Sequence, residues 1–208
     1  MVYIKNFSSI KTNDDEQLKN NVSQHRHSIE LVTETGQAVQ MSIHKRSPFI
    51  AQNLERVFPD WVLPVTTCRV VVVLQQSRYL LADTTPHVER EKDRLREKFI
   101  GFGSDVTRNL REHGYLSDLI DPRTGYPQFS RPGEIPHDDT AVVRALLGFP
   151  VIHNNCSVLE HPIWGSAIYP GILMSSASPQ VIKHTLKRVV VQHGWREPKT
   201  DLQLSIGV

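Results

Sequence analysis

The residues best placed to do chemistry are His153, Cys156, Glu160 and His161, close together in the second half of the chain. A thiol becomes a nucleophile or a soft metal ligand when a nearby base or cation draws it to the thiolate. Two imidazoles and a carboxylate offer both kinds of help. One reading is therefore a Cys–His pair, Cys156 with His153 or His161, serving a small thiol-dependent reductase or transferase. Strand alternation opposes it. On one regular strand over residues 151–160, Cys156 faces away from both histidines, so the pair needs a bulge or bend. The competing reading is a buried or half-buried thiol. Two acid pairs, Asp118/Asp121 and Asp138/Asp139, resemble a general acid/base couple. Asp121 precedes Pro122 and reads more simply as a turn former, and the second pair as a helix cap. His25 and His27 read as solvated histidines rather than a metal clip. The ten histidines are scattered, with no pair at helical i, i+4 spacing beside a carboxylate, so no structural metal site is expected. Phosphate loops, dinucleotide fingerprints, nucleophile elbows and CxxC pairs are absent.

What must position these residues is a chain of 208 residues, 39% hydrophobic and 22% charged, with 24 Lys+Arg against 22 Asp+Glu. That length buries a sizeable core without staples. The near balance of charge gives no strong field, so neither nucleic acid nor a membrane surface is an expected partner. Lys183, Lys187, Arg188, Arg196 and Lys199 form a modest basic face without an aromatic platform, an ordinary solvated surface. Two cysteines, Cys68 and Cys156, fit a reducing compartment. The first eleven residues are too polar for a secretory signal, and Asp14, Asp15 and Glu16 disfavour a mitochondrial presequence. The expected location is cytoplasmic, with a cleavable mitochondrial form as the second case.

Residues 1–27 are polar and aperiodic and are expected to be a flexible tail. A single domain is expected over 28–194, and 195–208 as a tail or a final edge strand. SIELVTE and AVQMSI, split by Thr35 and Gly36, predict a hairpin. Ser47 and Pro48 start a helix to about Val57. Residues 68–74 are β-branched and almost uninterrupted, which predicts a central strand buried on both faces, with Cys68 an inert buried thiol. Residues 78–81 are expected to continue as a partner strand. Leu95, Phe99, Phe102, Val106 and Leu110 mark one face of a long helix over 89–113, with Gly101 and Gly103 permitting close packing on a strand. Residues 115–120 read as a strand, followed by an Asp121–Gly125 turn and a return arm over 126–129. An exposed loop over 131–136 and a short helix through Val142 and Leu146 come next. Two strands, 151–160 and 165–175, and a helix starting at Ser178 and Pro179 complete the series. Short connections between strands favour α+β with a mostly antiparallel sheet flanked by helices over a doubly wound fold.

Several stretches also resemble a known family. SPFIAQNLERVFP, LREKF, REHGY, IDPRTG, LLGFP, NCSVLEHPIWG and SSASP, in that order over residues 39–188, are similar to the methylmalonic aciduria and homocystinuria type D proteins, the CblD cobalamin-trafficking family. The resemblance implies a flavin-free relative of the nitroreductase fold and no enzymatic turnover. It implies an adaptor that binds a CblC-like cobalamin processing protein. The adaptor directs the cofactor to methionine synthase and methylmalonyl-CoA mutase. No cofactor is expected on the chain alone, only cobalamin shared with the partner, and the expected state is a monomer or a hetero-complex. Animal members carry a Cys-Cys pair before the HPIWG segment, the first thiol being the proposed cobalt ligand. Here the pair reads Asn155–Cys156, which leaves Cys156 as the candidate cobalt thiolate, one residue out of step.

Overall fold

The computed structural model describes residues 28–62, 64, 67–154 and 156–198, without the side chains of 154 and 156. The expected tail over 1–27, with His25 and His27, and the segment from Lys199 onward lie outside the described residues, as does Asn155.

The alternating runs form β1 (Ser28–Val32) and β2 (Ala38–Lys45), an antiparallel hairpin. Ser47 accepts the Ile50 N–H and Pro48 opens α1 (Pro48–Val57), which buries Ile50, Leu54 and Val57. The valine run is β3 (Arg69–Gln76), the middle strand of a five-stranded sheet, lying between β2 and the strand Ile168–Ser175. Val71 and Val73 belong to one core, and Val70, Val72 and Leu74 to the other, so burial on both faces explains the unbroken apolar run. The long helix is α2 (Pro86–Glu112), capped by Thr85, with the expected apolar stripe buried. β4 (Ser117–Ile120), α3 (Asp139–Leu147), β5 (Val151–Asn154), β6 (Cys156–Leu159), β7 (Ile168–Ser175) and α4 (Pro179–Gln192) follow.

The main sheet runs β1-β2-β3-β7-β4 with every pairing antiparallel, which gives the expected α+β architecture. α2 and α4 cover one face over Phe99, Phe102, Leu173 and Leu186. Each such fully buried side chain contributes about 1.5–3 kcal/mol relative to an exposed one. α1, α3 and the separate β5–β6 hairpin cover the other face over Ile120, Ile172 and Met174. Trp195 is buried against Phe102, and Arg196 bridges to Val32 at the edge of β1, so the core extends past α4.

Three local expectations are corrected. Residues 78–81 form no partner strand: the Glu91 carboxylate takes the Arg78 N–H at 3.1 Å, and the Ser77 hydroxyl takes that of Tyr79, bending the chain. The return arm over 126–129 reduces to one bridge, Ile120 to Pro127. The buried Asp118 carboxylate accepts the N–H groups of Gln128, Phe129 and Ser130 at 2.6–3.1 Å and so replaces a strand ladder. Residues 151–160 are two strands, not one, paired with each other rather than with β7.

Candidate functional site

The candidate residues gather on the second face, where the chain leaves α3 and builds the β5–β6 hairpin. Its register pairs Val151 with Leu159, Ile152 with Val158, His153 with Ser157 and Asn154 with Cys156. The chain reverses between Asn154 and Cys156, so the alternation argued for one straight strand does not run through this point. Cys156 opens β6 at the hairpin tip. Val158 and Leu159 are buried, while His153 and Ser157 share the exposed side, with His153 Nδ1 3.1 Å from the Ser157 hydroxyl.

His161 lies at the opposite end of the hairpin. Its Nδ1 accepts the N–H groups of Ile163 and Trp164, both at 3.1 Å, which fixes the proton on Nε2. Nε2–H donates to Gln40 Oε1 on β2 at 3.0 Å. The ring stacks on Trp164 at 4.0 Å and meets the Phe149 edge at 5.2 Å. Burial pushes its pKa below the ordinary value, which favours the neutral imidazole. Both nitrogens are occupied, and about 13 Å of strand separates Cys156 from the hairpin base. His161 therefore locks the HPIWG turn; it is not a base for Cys156. The structure gives the Cys156–His161 pair no support.

A cavity of about 380 Å³ opens beside the hairpin. Its walls are the 122–125 turn, the start of α3, residues 157–159 of β6 and residues 168–170 of β7. Arg96 on α2 holds the turn through two hydrogen bonds to Asp121, 2.6 and 2.5 Å long. That pairing keeps the Asp121 carboxyl below the usual carboxylate range. Gly125, at φ +73°, lets its carbonyl accept the His137 N–H at 2.8 Å; a Cβ there would stand 2.6 Å from the His137 carbonyl oxygen. Asp138 caps α3 by accepting the Ala141 N–H, as the sequence led us to expect. Its neighbour does something else. Asp139 turns inward, 3.0 Å from His137 Nδ1, and burial raises its pKa. Sequence reasoning took the acid pair as a cap and passed over His137; the available signal was a histidine two positions before an acid at a helix start. Asp118 and Asp121, the other acid pair, are both buried but serve separate structural tasks, so neither pair is an acid/base couple.

Cys68 is fully buried, and its thiol is pushed up to about 11, consistent with an inert core sulfur. Among the described residues no group of three or more His, Cys, Asp or Glu side chains is gathered to hold a metal ion, and no helix is long and apolar enough to cross a membrane.

The order of motifs that runs through this hairpin has a counterpart among known proteins. The sequence model of the family "Methylmalonic aciduria and homocystinuria type D protein" matches residues 2–189. The chain belongs to that family. Among relatives, the human cobalamin trafficking protein CblD is 27% identical over 152 residues, 73% of this chain and 50% of that protein. The mouse protein of the same name is 27% identical over 141 residues, 67% of this chain and 47% of the relative. The chicken one is 25% identical over 142 residues, with 68% and 47% covered. The chain thus spans about half the length of the CblD relatives it matches.

Proposed function

We propose that this chain is a non-enzymatic intracellular adaptor for cobalamin. It binds a CblC-like cobalamin processing protein and directs the cofactor towards methionine synthase and methylmalonyl-CoA mutase. The observation that carries this reading is the family match over residues 2–189, whose relatives bear the name of cobalamin trafficking proteins. The hairpin adds physical support. It stands apart from the main sheet, is anchored at its base by His161 and carries Cys156 at its tip, a place from which a thiolate could reach the cobalt of a cobalamin held by another protein. The cobalt belongs to the cargo, and the cofactor is shared with the partner rather than resident on this chain. The antiparallel sheet with helices on both faces is compatible with a flavin-free relative of the nitroreductase fold. We assign the chain to the cytoplasm, with the mitochondrion as a second compartment, and to a monomer that enters a hetero-complex.

The test mixes the protein with cobalamin-loaded CblC and follows the visible spectrum and co-elution. A new absorption band that Cys156→Ser abolishes supports coordination by this thiolate. Co-elution without a band supports an adaptor that works without a cobalt–sulfur bond. An unchanged spectrum with no co-elution removes the proposal.

A further inference from the structure

We infer that one end of the main sheet, where Lys45, Arg46 and Arg69 come together, is a docking surface for the acidic run Asp14-Asp15-Glu16 of the same chain. The surface begins with the register of β2 and β3. Lys45 closes β2 directly opposite Arg69, the first residue of β3, and Arg46 follows it. Directly opposed residues share one face, and like charges there weaken a strand pair rather than support it. Lys45 is exposed, and Arg46 and Arg69 are half-buried. Among the described residues neither Lys45 nor Arg46 has an ion pair or a side-chain hydrogen bond, while Arg69 donates to the Cys68 carbonyl at 3.3 Å.

The strands that build this end supply no acid of their own. Residues 35–54, 61–82 and 161–196, which contain β2, β3 and β7, hold no Asp or Glu. The field is reinforced from the neighbouring strand. Arg69 is also opposite Ser175, the last residue of β7, and three residues later Ser178 caps α4. The start of a helix carries a partial positive charge. A row of cations set beside one another, with no local acid, is what an anionic segment from elsewhere would satisfy.

Two observations name the occupant. The first is place. The described chain begins at Ser28, opposite Ser42, three residues short of Lys45, so the N-terminal segment joins the fold at this end of the sheet. The gap from Ser28 to Lys45 is about 11 Å, three residue steps and one strand spacing. Glu16 lies twelve residues before Ser28, and a coil of that length spans about 20 Å on average. The second is charge. Asp14, Asp15 and Glu16 are consecutive, whereas residues 199–208 hold one acid, Asp201. Lys11 and Lys19 flank the run at three residues on each side, which confines the contact to residues 14–16. The tether decides between this run and an acidic segment of another protein. Its effective concentration is on the order of millimolar, which a free competitor must exceed. The N-terminal segment is thus a built-in competitor for acidic partners at this surface.

The experiment places a nitroxide on Asn13→Cys in the full ¹⁵N-labelled Cys156→Ser chain and reads paramagnetic broadening of backbone amides. The amides of Lys45, Arg46 and Arg69 are expected to broaden, and those of Ala38 and Gln76 at the other end of the sheet to stay sharp. Asp14→Asn, Asp15→Asn and Glu16→Gln together should cut that broadening at least about threefold, the low end for losing three exposed charge pairs. Lys45→Gln with Arg46→Gln should do the same from the other side. Raising the salt from 0.01 to 1 M, which shortens the screening length from about 30 to about 3 Å, should abolish the difference between the acidic and neutralised chains. Equal broadening in those two chains at low salt overturns the inference, as does its absence. So does broadening that appears only between a labelled and a separate ¹⁵N chain, which would make the occupant a second copy.

Discussion

His161 and Gln40, 121 positions apart, are joined by an Nε2–H to Oε1 hydrogen bond of 3.0 Å that ties the HPIWG turn to β2. Because Nδ1 holds two backbone N–H groups as well, removing the ring leaves three polar groups to find new partners. His161→Ala is expected to cost about 2–4 kcal/mol, measured by urea unfolding. The pH dependence has a definite sign. The folded pKa lies below the ordinary 6.5, so the unfolded chain takes up the proton first as pH falls through that value. The stability difference between wild type and His161→Asn should therefore be largest above pH 6.5 and shrink below it. A difference that grows on acidification would contradict the neutral, Nε2-protonated ring.

Arg96 and Asp121 make the second long-range tie. Asp121 is 3% exposed and Arg96 27%, and the two bonds between them are short and paired. Removing either partner strands the other, so Asp121→Asn or Arg96→Ala should cost about 2–4 kcal/mol. Arg96→Lys should restore only part, since an ammonium cannot make the same fork. The Asp121 carboxyl sits below its ordinary 3.8 when folded, so its contribution is complete above that pH and is lost as pH falls through the folded value. The Asp121→Asn protein should show a shallower loss of stability below pH 4 than wild type.

The fold was legible where periodicity is strong. The α2 stripe, the valine run of β3 and the two Ser-Pro helix starts can each be read locally, because burial and capping act within a few residues, whereas the Thr85–Pro86 start of α2 lies three residues before the expected one. The errors share a cause: a side chain far along the sequence captures the backbone. Glu91 bends 78–81, and Asp118 gathers the amides of 128–130. Neither partner is marked in the segment it redirects. The hairpin was missed because the reversal between Asn154 and Cys156 carries no Gly or Pro signal. His137 and Asp139 were hidden for a related reason: a helix start explains two acids so well that an inward-facing one goes unnoticed.

Gly171 on β7 faces the ring of Phe99 on α2, and a Cβ there would stand 2.5 Å from Phe99 Cδ2 and Cε2. Gly103 on α2 makes the reciprocal approach, with Leu119 and Leu173 against it. The expectation that a helix glycine permits close packing thus holds at Gly103, whereas Gly101 is exposed. Gly171→Ala should destabilise by about 1–3 kcal/mol through overpacking. Combining it with Phe99→Leu should recover part of that loss in a double-mutant cycle. Purely additive losses would show that the ring is not what Gly171 accommodates.

Cys68 should be silent to alkylation. In a Cys156→Ser background, iodoacetamide at pH 8 should label Cys68 only at the rate at which the protein opens, because the thiol is buried and pushed up to about 11. The same shift predicts an alkaline weakness. Unfolded Cys68 gives up its proton near its ordinary 9.0, while the folded thiol keeps it to about 11. Between those values the folded state binds more protons, so stability falls as pH rises, by roughly 2–3 kcal/mol across the window. Cys68→Ala removes the titration at the cost of a small cavity. Its urea midpoint should therefore lie below wild type at pH 8 and converge on it by pH 10.5. A constant gap between the two curves would mean that Cys68 titrates alike in both states and that its sulfur is open to solvent.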